Sequence, residues 1–147
     1  MKKIFSLAVL SLALLFPMAN AEVVGVIDFD KIVDNYNKVK TWSDEMSDKY
    51  TELQRYTLDK EREYKKLTTP LERKNFEETT ARDLAKRQDA YLKLKEKKEA
   101  EIDAAIKAAV KQVALENKID TVVEKSVILY GGVDITDKVV KTLNSGK

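Results

Sequence analysis

The sequence predicts an α+β fold: a small β-containing hub from which a long antiparallel helical hairpin, a coiled-coil arm, projects. Three observations carry that prediction. Short β-branched apolar runs lie near both ends of the 147-residue chain. Between Gly25 and Gly131 there is no glycine, and Pro70 is the single proline in that stretch. Charged residues make up 35% of the chain and aromatics 7%, a balance that suits long solvated helices better than a thick core.

The elements follow in order. Lys2 and Lys3 precede an apolar run, Ile4 to Phe16, which is too short to span a bilayer comfortably. Pro17 breaks it, and Ala19-Asn20-Ala21 supplies an A-x-A cleavage site. Residues 1–21 therefore read as a cleaved secretory signal peptide, with the mature chain starting at Glu22. Glu22 to Ile27 reads as a buried strand, after which Asp28 or Asp30 can cap a helix.

A helix is then expected from Lys31 to Leu67. Tyr36, Val39, Met46, Tyr50, Leu53, Tyr64 and Leu67 fall on a 3–4 spacing, and Ser43, Thr57 and Lys60 fill the remaining seam positions. Tyr56 lies off that seam, and so does Trp42, which is expected to pack at the hub or between subunits. Pro70 ends the first helix and suits the first turn of a second. Thr68 or Thr69 can cap it, with Glu72 completing a capping box after Thr69. The tip of the hairpin is thus near 68–71.

The second helix is expected from about Leu71 to Glu116, sparse in apolar residues (Leu84, Tyr91, Leu92, Leu94) until Ile102, Ile106, Ala109, Val110 and Val113. Ile119 to Val123 reads as a strand, Glu124 to Ser126 as a turn and Val127 to Tyr130 as a further strand, ended by Gly131-Gly132. Asp134 or Thr136 then caps a short helix through about Leu143. The hub segments are 22–35 and 105–147, and the arm is 36–104. Each arm helix of roughly 35–40 residues would be about 55 Å long. A two-helix arm and three short strands bury too little by themselves, so the hub is expected to join copies of the chain. The hub residues expected to do so are Val23, Val24, Val26, Ile27, Val122, Val127, Ile128 and Leu129.

Composition also narrows function. Histidine and cysteine are absent, which excludes thiol nucleophiles, disulfides, histidine acid–base catalysis and the common zinc sites. Asp28, Asp30 and Asp34 lack the glycine and closing glutamate of a calcium loop, and Val33 stands among them. Gly131-Gly132 has no following Gly-Lys-Ser/Thr. No enzyme activity, cofactor or metal is expected. Without Lys2 and Lys3 the chain has 25 basic and 25 acidic residues, which argues against nucleic acid as a partner. Positive charge is concentrated from Arg55 to Ala100, with 14 basic against 10 acidic residues.

A signal peptide, "VVGVIDF", a long charged hairpin and "IDTVVEKSVILYGGVDITDKVVKTLN" together resemble the Skp/OmpH family of periplasmic chaperones. The resemblance implies a homotrimer in the periplasm of a Gram-negative bacterium. It also implies arms that enclose unfolded outer-membrane proteins without ATP. Lys65, Lys66, Arg73, Lys74, Arg82, Lys86 and Arg87 would then attract acidic client segments, and weak contact with anionic lipid is a secondary expectation. Tyr56 and Phe76 are the candidate aromatic client contacts. The competing reading of those charges is a solvated face salt-bridged to Glu61, Glu63, Glu77 and Glu78. The competing function is a coiled-coil scaffold or spacer of the envelope.

Overall fold

A computed structural model describes residues 22–146; the expected signal peptide lies outside them. Strand β1 (Val24–Ile27) is followed by helices α1 (Phe29–Asn35), α2 (Asn37–Tyr64) and α3 (Pro70–Glu116). Strands β2 (Thr121–Glu124) and β3 (Val133–Asp134) and helix α4 (Thr136–Asn144) complete the chain. The sheet has the order β2-β1-β3 and is parallel throughout, with Val26 opposite both Val123 and Asp134. The two ends of the chain thus meet in one small body, and α2 and α3 leave it together as the arm.

The core lies where α1, α4 and the last turns of α3 meet. Ile32, Ile106, Ala109, Val113, Ile119, Ile135 and Val139 form one buried cluster, with Ile27 and Val122 of the sheet packed against it. Gly25 allows a close approach: a Cβ there would come within 2.9 Å of the Ile119 side chain. The Thr136 hydroxyl, itself buried, accepts from the Asp28 backbone N–H at 2.9 Å, and the Asp134 carboxylate accepts from Thr136 N–H at 2.9 Å. The N-cap of α4 is Ile135, which makes no side-chain cap hydrogen bond, and not the expected Asp134 or Thr136; Asp28 does cap α1, accepting from Lys31 N–H at 3.0 Å.

The tip matches its expected chemistry. Thr69 is the N-cap of α3 and Pro70 is its first residue; the Thr69 and Glu72 side chains each accept from the other's backbone N–H. The Thr69 hydroxyl also donates to the Glu72 carboxylate at 2.8 Å; that bond first, and then the one from Thr69 N–H, holds the Glu72 carboxyl below its ordinary pKa. Arg73 reinforces the turn by donating two hydrogen bonds to the Leu67 carbonyl, at 3.0 and 3.1 Å.

Two expectations are corrected. The first arm helix is not continuous from Lys31, because Tyr36 is extended (φ −84°, ψ 114°) and separates α1 from α2. No glycine or proline marks the break. It is a tertiary effect: Tyr36 is buried, and Asn144 of α4 accepts from Asn37 N–H at 2.9 Å while donating to the Asn35 carbonyl at 2.8 Å. α2 is therefore about 42 Å long and α3 about 70 Å.

The second correction concerns Val127, Ile128 and Leu129, expected in a hub strand. A 3-10 turn at Lys125–Val127 carries the chain off the end of β2. Residues 128–132 then form the crossover to the far side of β1, and the third strand begins at Val133. A parallel neighbour on the other side of β1 needs such a crossover, whereas a hairpin would have paired the segment with β2. Gly131 and Gly132, at φ +89° and +88°, turn it back.

Candidate functional site

Beyond the body, α2 and α3 touch along a thin seam. Met46 is buried there, and Val39, Leu53, Thr57, Lys60, Tyr64 and Leu67 are half-buried. Ser43 and Tyr50, both assigned to the seam from spacing, are exposed, and the Tyr50 ring instead lies 6.3 Å from that of Tyr91. Trp42 is turned inward at the root of the arm, among Tyr36, Glu45, Ile102 and Ala105. The Lys98–Glu45 ion pair, at 3.2 Å, crosses between the helices beside it.

Near the tip the seam opens into a groove of about 500 Å³. Tyr56, Tyr64 and Phe76 line it with Thr57, Thr80, Ala81 and Leu84. Three cations lie against these rings. Arg87 is 4.1 Å from the centre of the Tyr56 ring, Arg73 is 5.8 Å from that of Tyr64, and Lys60 is 5.6 Å from both Tyr56 and Phe76. The rings of Tyr64 and Phe76 are 6.1 Å apart and tilted. The Glu77 carboxylate, hydrogen-bonded to the Tyr64 hydroxyl, raises that phenol above its ordinary pKa.

The ion pairs of the arm have a distinct distribution. Among the described residues, Lys49, Lys60, Arg62, Lys93, Lys95, Lys97 and Lys98 each reach a carboxylate. Lys65, Lys66, Arg73, Lys74, Arg82, Lys86 and Arg87 appear in none of these pairs within 4.0 Å, nor in those of the body. The expected pairing of these seven with Glu61, Glu63, Glu77 and Glu78 is therefore absent among the described residues. Arg73 and Arg82 donate to backbone carbonyls, of Leu67 and Glu78.

A model of the OmpH-like outer membrane protein family matches residues 23–143. The chain belongs to that family. No curated protein matches it significantly in sequence. One solved structure similar to this OmpH-like chain is of an OmpH-like outer membrane chaperone candidate from Caulobacter crescentus CB15. It shares 13% identity over 85% of each chain, with a TM-score of 0.39.

Within this family member, the candidate residues fall into two places. Tyr56, Phe76, Lys65, Arg73 and Arg87 gather around the tip groove, while Lys66, Lys74, Arg82 and Lys86 are exposed on the helices that flank it. Tyr56 and Phe76 are half-buried and not the outward-facing residues that spacing suggested. Lys60, Thr80 and Leu84 were not singled out as site residues, although Tyr56, Lys60 and Tyr64 share one helical face at i, i+4, i+8.

The candidate hub residues lie in the body. Gly25 and Val26 fill the buried middle of β1, Val24 and Ile27 are half-buried, and Val23 is exposed. Val122 faces the core, whereas Val127, Leu129 and Tyr130 stand free in the crossover, Leu129 and Tyr130 completely so, with Ile128 half-buried. A second groove, of about 460 Å³, lies between α3 and β2, lined by Phe29, Val110, Leu115 and Val123 among others.

Proposed function

We propose that this chain is an ATP-independent periplasmic holdase that binds unfolded outer-membrane proteins and keeps them from aggregating. The observation that carries the reading is the arm tip: seven basic side chains without ion pairs, set around an aromatic groove on a thin-seamed arm. A solvated structural coiled coil would pair those charges along its faces, as seven of the ten other basic residues of this arm do. An unfolded β-barrel chain presents apolar side chains and unpaired strand edges that must be kept from other chains. Cations left free for long-range attraction, with apolar surface close by, suit that task.

The body supports a homo-oligomer, assigned as a trimer by family resemblance. Parallel sheets are normally covered on both faces, and three strands are few for an independent sheet. Leu129 and Tyr130 are fully exposed beside this one, and Val127 and Leu115 are mostly exposed. Segments 22–35 and 105–147 would form the joined hub, and residues 36–104 the arm.

Molar mass by light scattering tests both statements. The mature protein alone should scatter as a trimer. Mixed with urea-unfolded porin and diluted without ATP, it should gain about one client while the porin stays soluble. An unchanged oligomer beside precipitated porin would leave the arms as an envelope scaffold and refute the holdase reading.

A further inference from the structure

The tip groove has a polarity pattern that specifies what can lie in it. Its floor is aromatic, from Tyr56, Tyr64 and Phe76. Its two cationic foci are separate: Arg87 sits on the Tyr56 ring and Arg73 on the Tyr64 ring. Tyr64 is eight residues beyond Tyr56 in α2, so these tyrosines are about 12 Å apart along the arm at ~1.5 Å per residue. Lys65 lines the groove at the outer end. Glu61 and Glu77 also line it, Glu77 engaged with the Tyr64 hydroxyl, and Lys60 is neutralised by Glu63 at 2.6 Å. Over residues 65–87 there are seven basic and four acidic residues, and one of the acidic ones, Glu72, is committed to the cap of α3.

We infer that the groove seats an extended client segment in which an aromatic or large apolar residue is flanked, two residues to either side, by carboxylates. The inference rests on the holdase reading and gives it a chemical preference. In an extended chain, residues i, i+2 and i+4 lie on one face, and at ~3.3 Å per residue i and i+4 are about 13 Å apart. That span matches the ~12 Å along the arm between the two tyrosines against which the arginines rest. The residue at i+2 then lies over the aromatic floor, where a ring gains edge and stacking contacts. Arg87 offers one carboxylate a guanidinium free of a protein ion pair, and Arg73, whose Nε and Nη2 donate to the Leu67 carbonyl, offers the other its remaining N–H groups for charge-assisted hydrogen bonds. A single compact anionic group cannot reach both foci at once.

The test uses the full mature protein and fluorescein-labelled peptides with a central Asp-Ser-Phe-Ser-Asp in Gly/Ser flanks. Control peptides carry Lys for Asp, or Ser for Phe. Anisotropy at low salt should show the Asp/Phe peptide binding at least fivefold more tightly than either control. R73Q/R87Q and, separately, F76S should each lose at least fivefold of that binding. Circular dichroism and molar mass establish that each variant keeps its helices and assembly; should F76S lose them, R73Q/R87Q alone decides. Equal binding of all three peptides, unchanged binding by R73Q/R87Q, or no peptide binding would each overturn the inference. So would phosphatidylglycerol vesicles that bind wild type and not R73Q/R87Q while the peptides do not discriminate, which would make the groove a lipid surface. The porin assay run in parallel separates the two readings. Porin kept soluble without peptide selectivity sinks the groove alone. Selective peptide binding beside precipitated porin sinks the holdase alone.

Discussion

Gly132 and Lys118 both hold a positive φ, with opposite consequences. At Gly132 (φ +88°) an added Cβ would run into the Val26 side chain in the middle of β1, so the position has neither the backbone freedom nor the space for alanine. Gly132→Ala should cost roughly 1–3 kcal/mol from the backbone alone, read as a lower midpoint in urea. Lys118 (φ +55°) follows the C-cap of α3 and takes the left-handed conformation that usually falls to glycine. Relieving that strain outweighs the extra chain entropy of glycine, so Lys118→Gly should raise stability by roughly 0.5–1 kcal/mol. A midpoint that falls would mean the Lys118 side chain contributes more than its backbone costs.

Among the elements, those governed by local chemistry were legible in the sequence. Thr69, Pro70 and Glu72 announce the start of α3 through their own hydrogen bonds and ring, and the structure has that capping box. Thr69→Ala should weaken the tip by about 1 kcal/mol, seen as faster hydrogen exchange in residues 71–74 and faster tryptic cutting after Lys65 and Lys66. The Glu72 half of the box carries a pH signature. Its folded pKa lies below the ordinary value, so its contribution is complete above that value and is lost as pH falls through the lowered one. The protection of the tip should therefore decline on acidification in wild type and show much less pH dependence in Thr69→Ala. What was not legible came from partners distant in sequence. The break at Tyr36 depends on Asn144, which is 107 and 109 residues from the groups it holds. Removing that clasp with Asn144→Ala should cost about 1 kcal/mol and expose the Asn37 amide to exchange, leaving the tip unaffected. β-branched apolar residues point to a third strand at Val127–Tyr130, yet the crossover geometry assigns pairing to Val133 and Asp134 instead. The tip groove was half legible: its residue types stood out, but a heptad register read from spacing put Tyr50 inside and Tyr56 outside, the reverse of their positions.

On the scale of the whole molecule, a near balance of 27 basic and 25 acidic residues hides a division of labour. Among the described residues, the seven basic side chains from Lys65 to Arg87 reach no carboxylate, whereas seven of the other ten on the arm do. Replacing Lys65, Lys66, Arg73, Lys74, Arg82, Lys86 and Arg87 with glutamine should leave molar mass unchanged and weaken porin binding, most at low ionic strength where screening is least. Equal porin affinity in wild type and variant at all salt concentrations would mean that the charge is incidental. The all-parallel sheet adds a consequence in time. Its central strand, β1, is made first, but its neighbours lie almost a hundred residues later, Val23 bonding to Asp120 across 97 residues. A chain emerging from its amino end therefore has a helical hairpin available early and no finished body until Val133 and Asp134 arrive. Pairings that distant are slow to close. A copy cut short anywhere before β3 leaves β1 without one of its two neighbours, so completion of the chain itself gates which copies acquire an intact base.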